Sequence, residues 1–108
     1  MDDCLFCAIT SGRMGTDFVH EDADMVAFND IRPKAKTHVL IVPKKHIPTI
    51  ADLNENEADE VLVGKMVLAA RDIAKERELN GYQLRFHVGK SGGQDVFHIH
   101  LHLLSDQG

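Results

Sequence analysis

His98, His100 and His102 alternate with Ile99 and Leu101 directly after Gln94-Asp95-Val96-Phe97, so an imidazole recurs at every second position. On a strand, successive side chains point to opposite faces, which would put the three rings on one face and Phe97, Ile99, Leu101 and Leu103 on the other. The apolar face would pack a core and leave the imidazole face free for chemistry. Three readings of such a row compete. A solvated polar face would ordinarily carry Thr, Lys, Glu or Ser rather than groups that titrate near neutral pH. A metal site using all three is strained, because alternate positions lie roughly 6.6 Å apart and the outer pair about 13 Å, too wide to converge on one ion. One or two could still be ligands. Catalysis is the third reading, with a central imidazole as nucleophile or base and its neighbours handling charge and protons.

The segment ahead of the histidines favours catalysis. Gly89-Lys90-Ser91-Gly92-Gly93-Gln94 is rich in residues that permit positive φ, and backbone N–H groups converging there would suit a phosphate. Ser-Gly-Gly also reads as an ordinary turn, so it is the adjacency to the imidazoles that matters. A second constellation is Cys4-Leu-Phe-Cys7, which can be a redox pair, a metal clip or two free thiols. A thioredoxin-type redox site would follow a strand, and none precedes Cys4; a zinc site needs two further ligands, for which His46 and His98 are available.

Over nearly its whole length the sequence resembles the histidine triad (HIT) family, in particular its Hint branch of purine nucleoside phosphoramidases. The resemblance rests on Gly92-Gly93-Gln94-Asp95-Val96-Phe97-His98-Ile99-His100-Leu101-His102-Leu103-Leu104, on Phe28-Asn29-Asp30-Ile31-Arg32-Pro33, and on Thr37-His38-Val39-Leu40-Ile41-Val42-Pro43-Lys44-Lys45-His46, in that family's order. It implies a nucleotide hydrolase or transferase in which His100 attacks the α-phosphorus of a nucleoside 5′-phosphate derivative and water resolves the covalent nucleotidyl-histidine to the monophosphate. His102 and His38 would bind phosphoryl oxygens and deliver a proton to the leaving group. Asp30 would accept the ribose hydroxyls, Leu5, Phe6, Ile9, Phe28 and Ile31 would line the base pocket, and Gly93, Gln94 and Asp95 would border the phosphate. The resemblance further implies a structural zinc on Cys4, Cys7, His46 and His98, with no cofactor required for catalysis. One position departs from the branch: His87 stands where it usually has Asn, near ribose and phosphate. The chain also ends six residues after His102 and contains no Trp, whereas the branch commonly continues into a tail that shapes the partner's site. Hydrolysis of dinucleoside polyphosphates, as in the sister Fhit branch, a zinc-stabilised nucleotide-binding protein without turnover, and a catalytic zinc between His100 and His102 are the competing expectations.

The elements that must position these residues read as one α+β domain spanning residues 1–108. A short helix is expected around residues 4–11, ended by Ser11-Gly12, followed by strands at 17–21, 24–29 and 37–43, the last closed by Pro43. From 56 to 78, Val61, Leu62, Met66, Ala69, Ala70, Ile73 and Ala74 form one helical stripe, with Asn80-Gly81 as the stop. Gly64 in mid-helix points to close approach by another backbone, such as the same helix of a second subunit. Strands at 82–88 and 96–104 complete a five-stranded antiparallel sheet with one long and one short helix. The family's dimer, extending the sheet through the long helix and a strand, makes a homodimer the expected state.

Composition sets limits on partners. The net charge of −5 argues against a nucleic-acid binder, and Lys34, Lys36, Lys44 and Lys45 read as a solvated loop and strand end. No apolar run reaches the roughly 20 residues of a membrane span, and Met1-Asp2-Asp3 lacks the basic start of a secretory signal. A cytoplasmic protein acting on a small purine nucleotide is expected, its two cysteines reduced or metal-bound.

Overall fold

The computed structural model describes residues 3–108. Helix α1 (Leu5–Thr10) precedes strands β1 (His20–Glu21), β2 (Met25–Asn29) and β3 (Thr37–Pro43); helix α2 (Glu57–Glu76), β4 (Gln83–Arg85) and β5 (Leu101–Ser105) follow. The strands form one sheet in the order β1-β2-β3-β5-β4, every neighbouring pair antiparallel. The α+β architecture and strand count match the sequence expectation. Among the described residues, no helix is long and apolar enough to cross a membrane.

Two apolar layers flank the sheet. Strand β3 is buried along its whole length because helices cover both of its faces. On one side Met25, Ala27, Val39, Ile41, Leu101 and Leu103 pack against Leu62, Met66, Ala69, Ala70 and Ile73 of α2. On the other, Val26, Phe28, Leu40 and Val42 pack under Phe6 and Ile9 of α1. Asn56 caps α2 by accepting the Asp59 N–H at 2.8 Å, and Glu57, Asp59 and Glu60 place negative charge at its positive end.

Several boundaries differ from the expectation. Helix α2 stops before Asn80-Gly81: Glu78 takes φ 57°, Leu79 N–H donates to Ala74 and Glu78 N–H to Lys75, and Leu79 packs on the core. This is a Schellman closure with glutamate in the position glycine usually fills, which composition alone does not mark. Val61 leaves the expected stripe and is 44% exposed. Gly64 meets no atom of its own chain within 4 Å of where a Cβ would stand, so no close approach to it exists within one chain.

The last strand begins at Leu101, not at residue 96. Pairing of Ile41 with Leu101 predicts that Pro43 should face Ile99 next, but proline has no N–H to donate. The rung is replaced: Ile99 N–H donates to the Ile47 carbonyl at 2.8 Å, and the Pro43 carbonyl accepts the His98 ring Nε2–H at 2.7 Å. His98 and His100 therefore sit in an irregular lead-in to β5. Their rings are buried rather than displayed, at 0% and 4% exposure, and Phe97 is 46% exposed instead of joining Ile99 and Leu101 in the core.

Candidate active site

Strand register delivers the histidines to one face. Leu40 lies opposite His102 and His38 opposite Leu104, so His38, His102 and the α1-facing apolar residues project from the same side of the sheet. The ring partners then determine which nitrogen carries each proton. Lys34 backbone N–H donates to His38 Nδ1 at 3.1 Å, which leaves the His38 proton on Nε2, 2.9 Å from His102 Nδ1. His102 must accept there and carry its own proton on Nε2, a buried atom with no partner among the described residues. His100 Nδ1–H donates to the His98 carbonyl at 2.8 Å, leaving its Nε2 as a bare lone pair. The cluster thus presents one nucleophilic nitrogen and one uncommitted donor, with the His100 and His102 ring centres 4.9 Å apart. Asp30, His38 and His102 also lie close enough to surround an ion. His38 and His102 are hydrogen-bonded to each other, and an Asp30 oxygen lies 3.5 Å from His38 Nε2.

The residues expected around nucleotide divide by what their atoms already do. Phe6, Ile9 and Phe28 are buried together, and the Phe6 ring meets His100 edge-on at 4.9 Å between centres. Leu5 is 47% and Ile31 91% exposed, so these two stand at the rim rather than in the packed wall. Phe18, absent from the sequence reading, packs on the same cluster. Asp30 serves twice: one oxygen accepts the Arg32 N–H at 2.9 Å in a local turn, and the other lies 3.5 Å from His38 Nε2.

The glycine loop holds a finding of its own. Residues Lys90–Gly92 form a single 3-10 turn between Gly89 at φ 72° and Gly93 at φ 89°. The N–H groups of Gly92, Gly93 and Gln94 bond to carbonyls of Gly89 and Lys90, so they do not form the expected anion concavity. Gln94 is buried and its amide is spent: it accepts from Gly89 N–H and donates to the Pro48 and Val96 carbonyls. It braces the loop. Asp95 is exposed, with a carboxylate oxygen 3.9 Å from His100 Nε2. His87 joins the imidazole cluster, its ring centre 4.7 Å from that of His102, and a Cβ at Gly93 would stand 3.9 Å from the His87 ring.

Cys4, Cys7 and His46 converge on the His98 ring, the four ligand atoms all within 4.8 Å of one another. Because His98 Nε2–H is committed to Pro43, its Nδ1 is a lone pair; it faces Cys4 Sγ at 3.4 Å, Cys7 Sγ at 3.5 Å and His46 Nδ1 at 3.1 Å. Tetrahedral bonds of about 2.0–2.3 Å imply ligand-to-ligand spacings of roughly 3.3–3.8 Å, close to what is found. Burial, with Cys4 beside it, pushes the Cys7 thiol up to about 11, so the apo cluster resists ionisation that a cation would reverse. The four residues fit a structural metal.

Burial keeps the clustered imidazoles neutral. Burial lowers the pKa of His38, His98 and His100, and lowers His102 to about 4, helped by neighbouring His100, His87 and His38. A depressed folded-state value means that the unfolded chain binds the proton more readily. The stability contribution of His102 is complete above its unfolded value of 6.5 and is lost as pH falls towards about 4. Thermal unfolding followed from pH 7 to pH 4 should therefore show a fall on the order of 3 kcal/mol from this group, and His102→Gln should flatten the slope in that window.

Comparison with known proteins gives the arrangement its place. Residues 3–108 match the family described as "Scavenger mRNA decapping enzyme C-term binding". The chain is 40% identical over 105 residues to Protein HitA of Neisseria gonorrhoeae, covering 96% of each chain. It is 37% identical to the purine nucleoside phosphoramidase of Escherichia coli K12, covering 95% of this chain and 87% of that one. A crystal structure of a HIT family hydrolase from Legionella pneumophila Philadelphia 1 superposes with a TM-score of 0.91 at 46% identity, over 98% of this chain and 95% of that one. A zinc-bound histidine triad family protein from Mycobacterium smegmatis superposes at 0.84 with 31% identity, over 99% and 77%. With its neutral imidazole cluster, its five-stranded sheet and these relatives at 31–46% identity, the chain belongs to the histidine triad family of hydrolases, on its Hint-like side.

Proposed function

We propose that the protein hydrolyses purine nucleoside 5′-phosphoramidates, or related nucleotidyl conjugates, through a covalent nucleotidyl-His100 intermediate. The observation that carries this reading is the pairing of a bare His100 Nε2, oriented by the His98 carbonyl at 2.8 Å, with the unpartnered Nε2–H of His102. His100 Nε2 attacks the α-phosphorus, and the phosphorus–nitrogen bond breaks. The leaving amine takes the bond's electron pair and a proton that the His102–His38 pair, neutral at rest, takes up from solvent and passes on. Water then attacks the same phosphorus, the bond from phosphorus to His100 Nε2 breaks and the monophosphate is released; the water's proton leaves through the His102–His38 pair, balancing the one given to the amine. His102 Nε2–H stabilises the charge that gathers on a phosphoryl oxygen, and the neutral resting state keeps His100 nucleophilic near pH 7. Phe6, Ile9 and Phe28 take the base and Asp30 the ribose. His87, Gly93 and Asp95 border the phosphate.

Zinc is the metal proposed for Cys4, Cys7, His46 and His98, a donor set that suits it, with the zinc-bound mycobacterial relative in support. It would pin the segment before α1 to the lead-in of β5. A homodimer is the proposed assembly, supported by Val61, Gly64 and Leu68 exposed along one line of α2 and by Leu84 exposed on the edge strand β4. Free or metal-bound cysteines favour the cytoplasm.

Incubating the protein with adenosine 5′-phosphoramidate or an aminoacyl adenylate should yield a nucleotidylated species by intact mass. His100→Ala should abolish it and lower kcat/KM at least about a thousandfold; an adduct persisting in that variant would overturn the mechanism. Elemental analysis should find about one zinc per chain, and a chelator or Cys4→Ser should lower the thermal midpoint by roughly 10 °C or more. Were turnover of the still-folded apo protein lost and regained with zinc, a catalytic metal would replace the covalent route. Sedimentation should give a dimer that Leu68→Glu converts to monomer with unchanged helix content; a wild-type monomer would refute the assembly.

A further inference from the structure

A groove of about 500 Å³ lies along β4 and the end of β5. Lys34 and Arg85 stand at it together with Gln83, Leu104 and Ser105. Register ties it to the chemistry: Arg85 lies opposite His102 and Gln83 opposite Leu104, so both project from the imidazole face, while Lys34 donates its backbone N–H to His38. Its far wall is preformed. Ser105 Oγ–H donates to the Gly81 carbonyl at 2.7 Å, Gln107 Oε1 accepts the Asn80 N–H at 2.7 Å, and Thr37 Oγ1–H donates to the Gln107 carbonyl at 2.6 Å.

Charge in the groove runs against the charge of the chain. The protein carries −5 overall, yet neither the Lys34 ammonium nor the Arg85 guanidinium has an ion-pair or hydrogen-bond partner among the described residues. Both positive charges oppose protonation of His38, in keeping with the register that sets them beside it. Asp106 is the one carboxylate in the lining, against the two cations. Arg85, opposite His102, and Lys34, whose backbone holds His38, thus bring two free cations into one groove next to the His38–His102 pair, the arrangement an anionic group would need.

We propose that this groove is the leaving-group subsite and selects leaving amines that carry a carboxylate or phosphate, with Arg85 and Lys34 as its specificity-determining residues. The inference rests on the phosphoramidase reading above. With the nucleoside under α1 and phosphorus at His100, the departing amine takes its bond electrons and the proton passed on by the His102–His38 pair while its anionic tail stays on Arg85 and Lys34. Edge pairing of β4 with a second copy would use backbone groups and the α2-side Leu84, leaving Gln83 and Arg85 on the site face.

The test compares adenosine 5′-phosphoramidates whose leaving amine is phenethylamine, glutamate or 2-aminoethyl phosphate. Because these amines differ in basicity, the quantity read is the change in the ratio of kcat/KM, charged over uncharged, on mutation. Arg85→Gln should lower that ratio about tenfold, the usual size of losing one charge-assisted contact, and Lys34→Gln should lower it in the same direction. Added salt should erode the wild-type ratio. A fall confined to the glutamate or to the phosphate substrate would name which anion the groove serves. A ratio untouched by both substitutions, including an equal loss on all three substrates, would mean that the cations hold the substrate phosphate or nothing, and overturns the proposal alone. Failure of the wild type to turn over any of the three overturns it together with the phosphoramidase reading.

Discussion

One hydrogen bond, from His100 Nδ1–H to the carbonyl two residues before it, organises the chemistry. It fixes the tautomer, turns the free nitrogen outward and is made inside one short segment, so no distant movement is needed to set it. The residue that supplies this carbonyl does three separate jobs. Its ring nitrogen Nε2 is anchored to Pro43, its Nδ1 faces the thiols, and its backbone carbonyl holds the His100 ring. Any displacement of His98 is therefore felt at His100 without an intervening side chain.

Burial does the electrostatic work that a strong base would do elsewhere. Imidazoles stacked within about 5 Å of one another cannot share positive charge, and each depresses its neighbours. The Asp30 carboxylate raises His38, His100 and His102 against that trend without overcoming burial. The consequence is a set of neutral rings whose hydrogen-bond directions, rather than their basicity, distinguish nucleophile from donor. The edge of Phe6 against His100 adds an apolar wall beside the ring.

What could be read from the sequence follows from how local each signal is. The triad announced itself because alternation is a property of adjacent residues, and β3 because an unbroken apolar run with a terminal proline has few other uses. The second helix was legible for the same reason. Its end was not, because Glu78 adopts a left-handed conformation that nothing in its identity advertises. The start of β5 was misplaced because it depends on Pro43, more than fifty residues away, and on the diversion of Ile99 to Ile47. Gln94 looked like a phosphate neighbour and is a loop brace, since only the fold brings the Pro48 carbonyl to it. Lys34 was read only as one of a solvated lysine cluster and Arg85 was not singled out: a lysine in a loop and an arginine on a short edge strand become a pair only when register sets them around the same histidines.

Pro43 has a meaning beyond the end of a strand. An ordinary residue there would point its amide hydrogen towards β5, on the side where its carbonyl already points, and would offer Ile99 the missing rung. The sheet would zip one step further, and the Pro43 carbonyl would be drawn to Ile99 and away from the imidazole it now steadies. Reactivity in this fold is thus sheltered by a deficiency: the ladder is stopped short, and the slack it leaves is where an aromatic ring can lie between two strands.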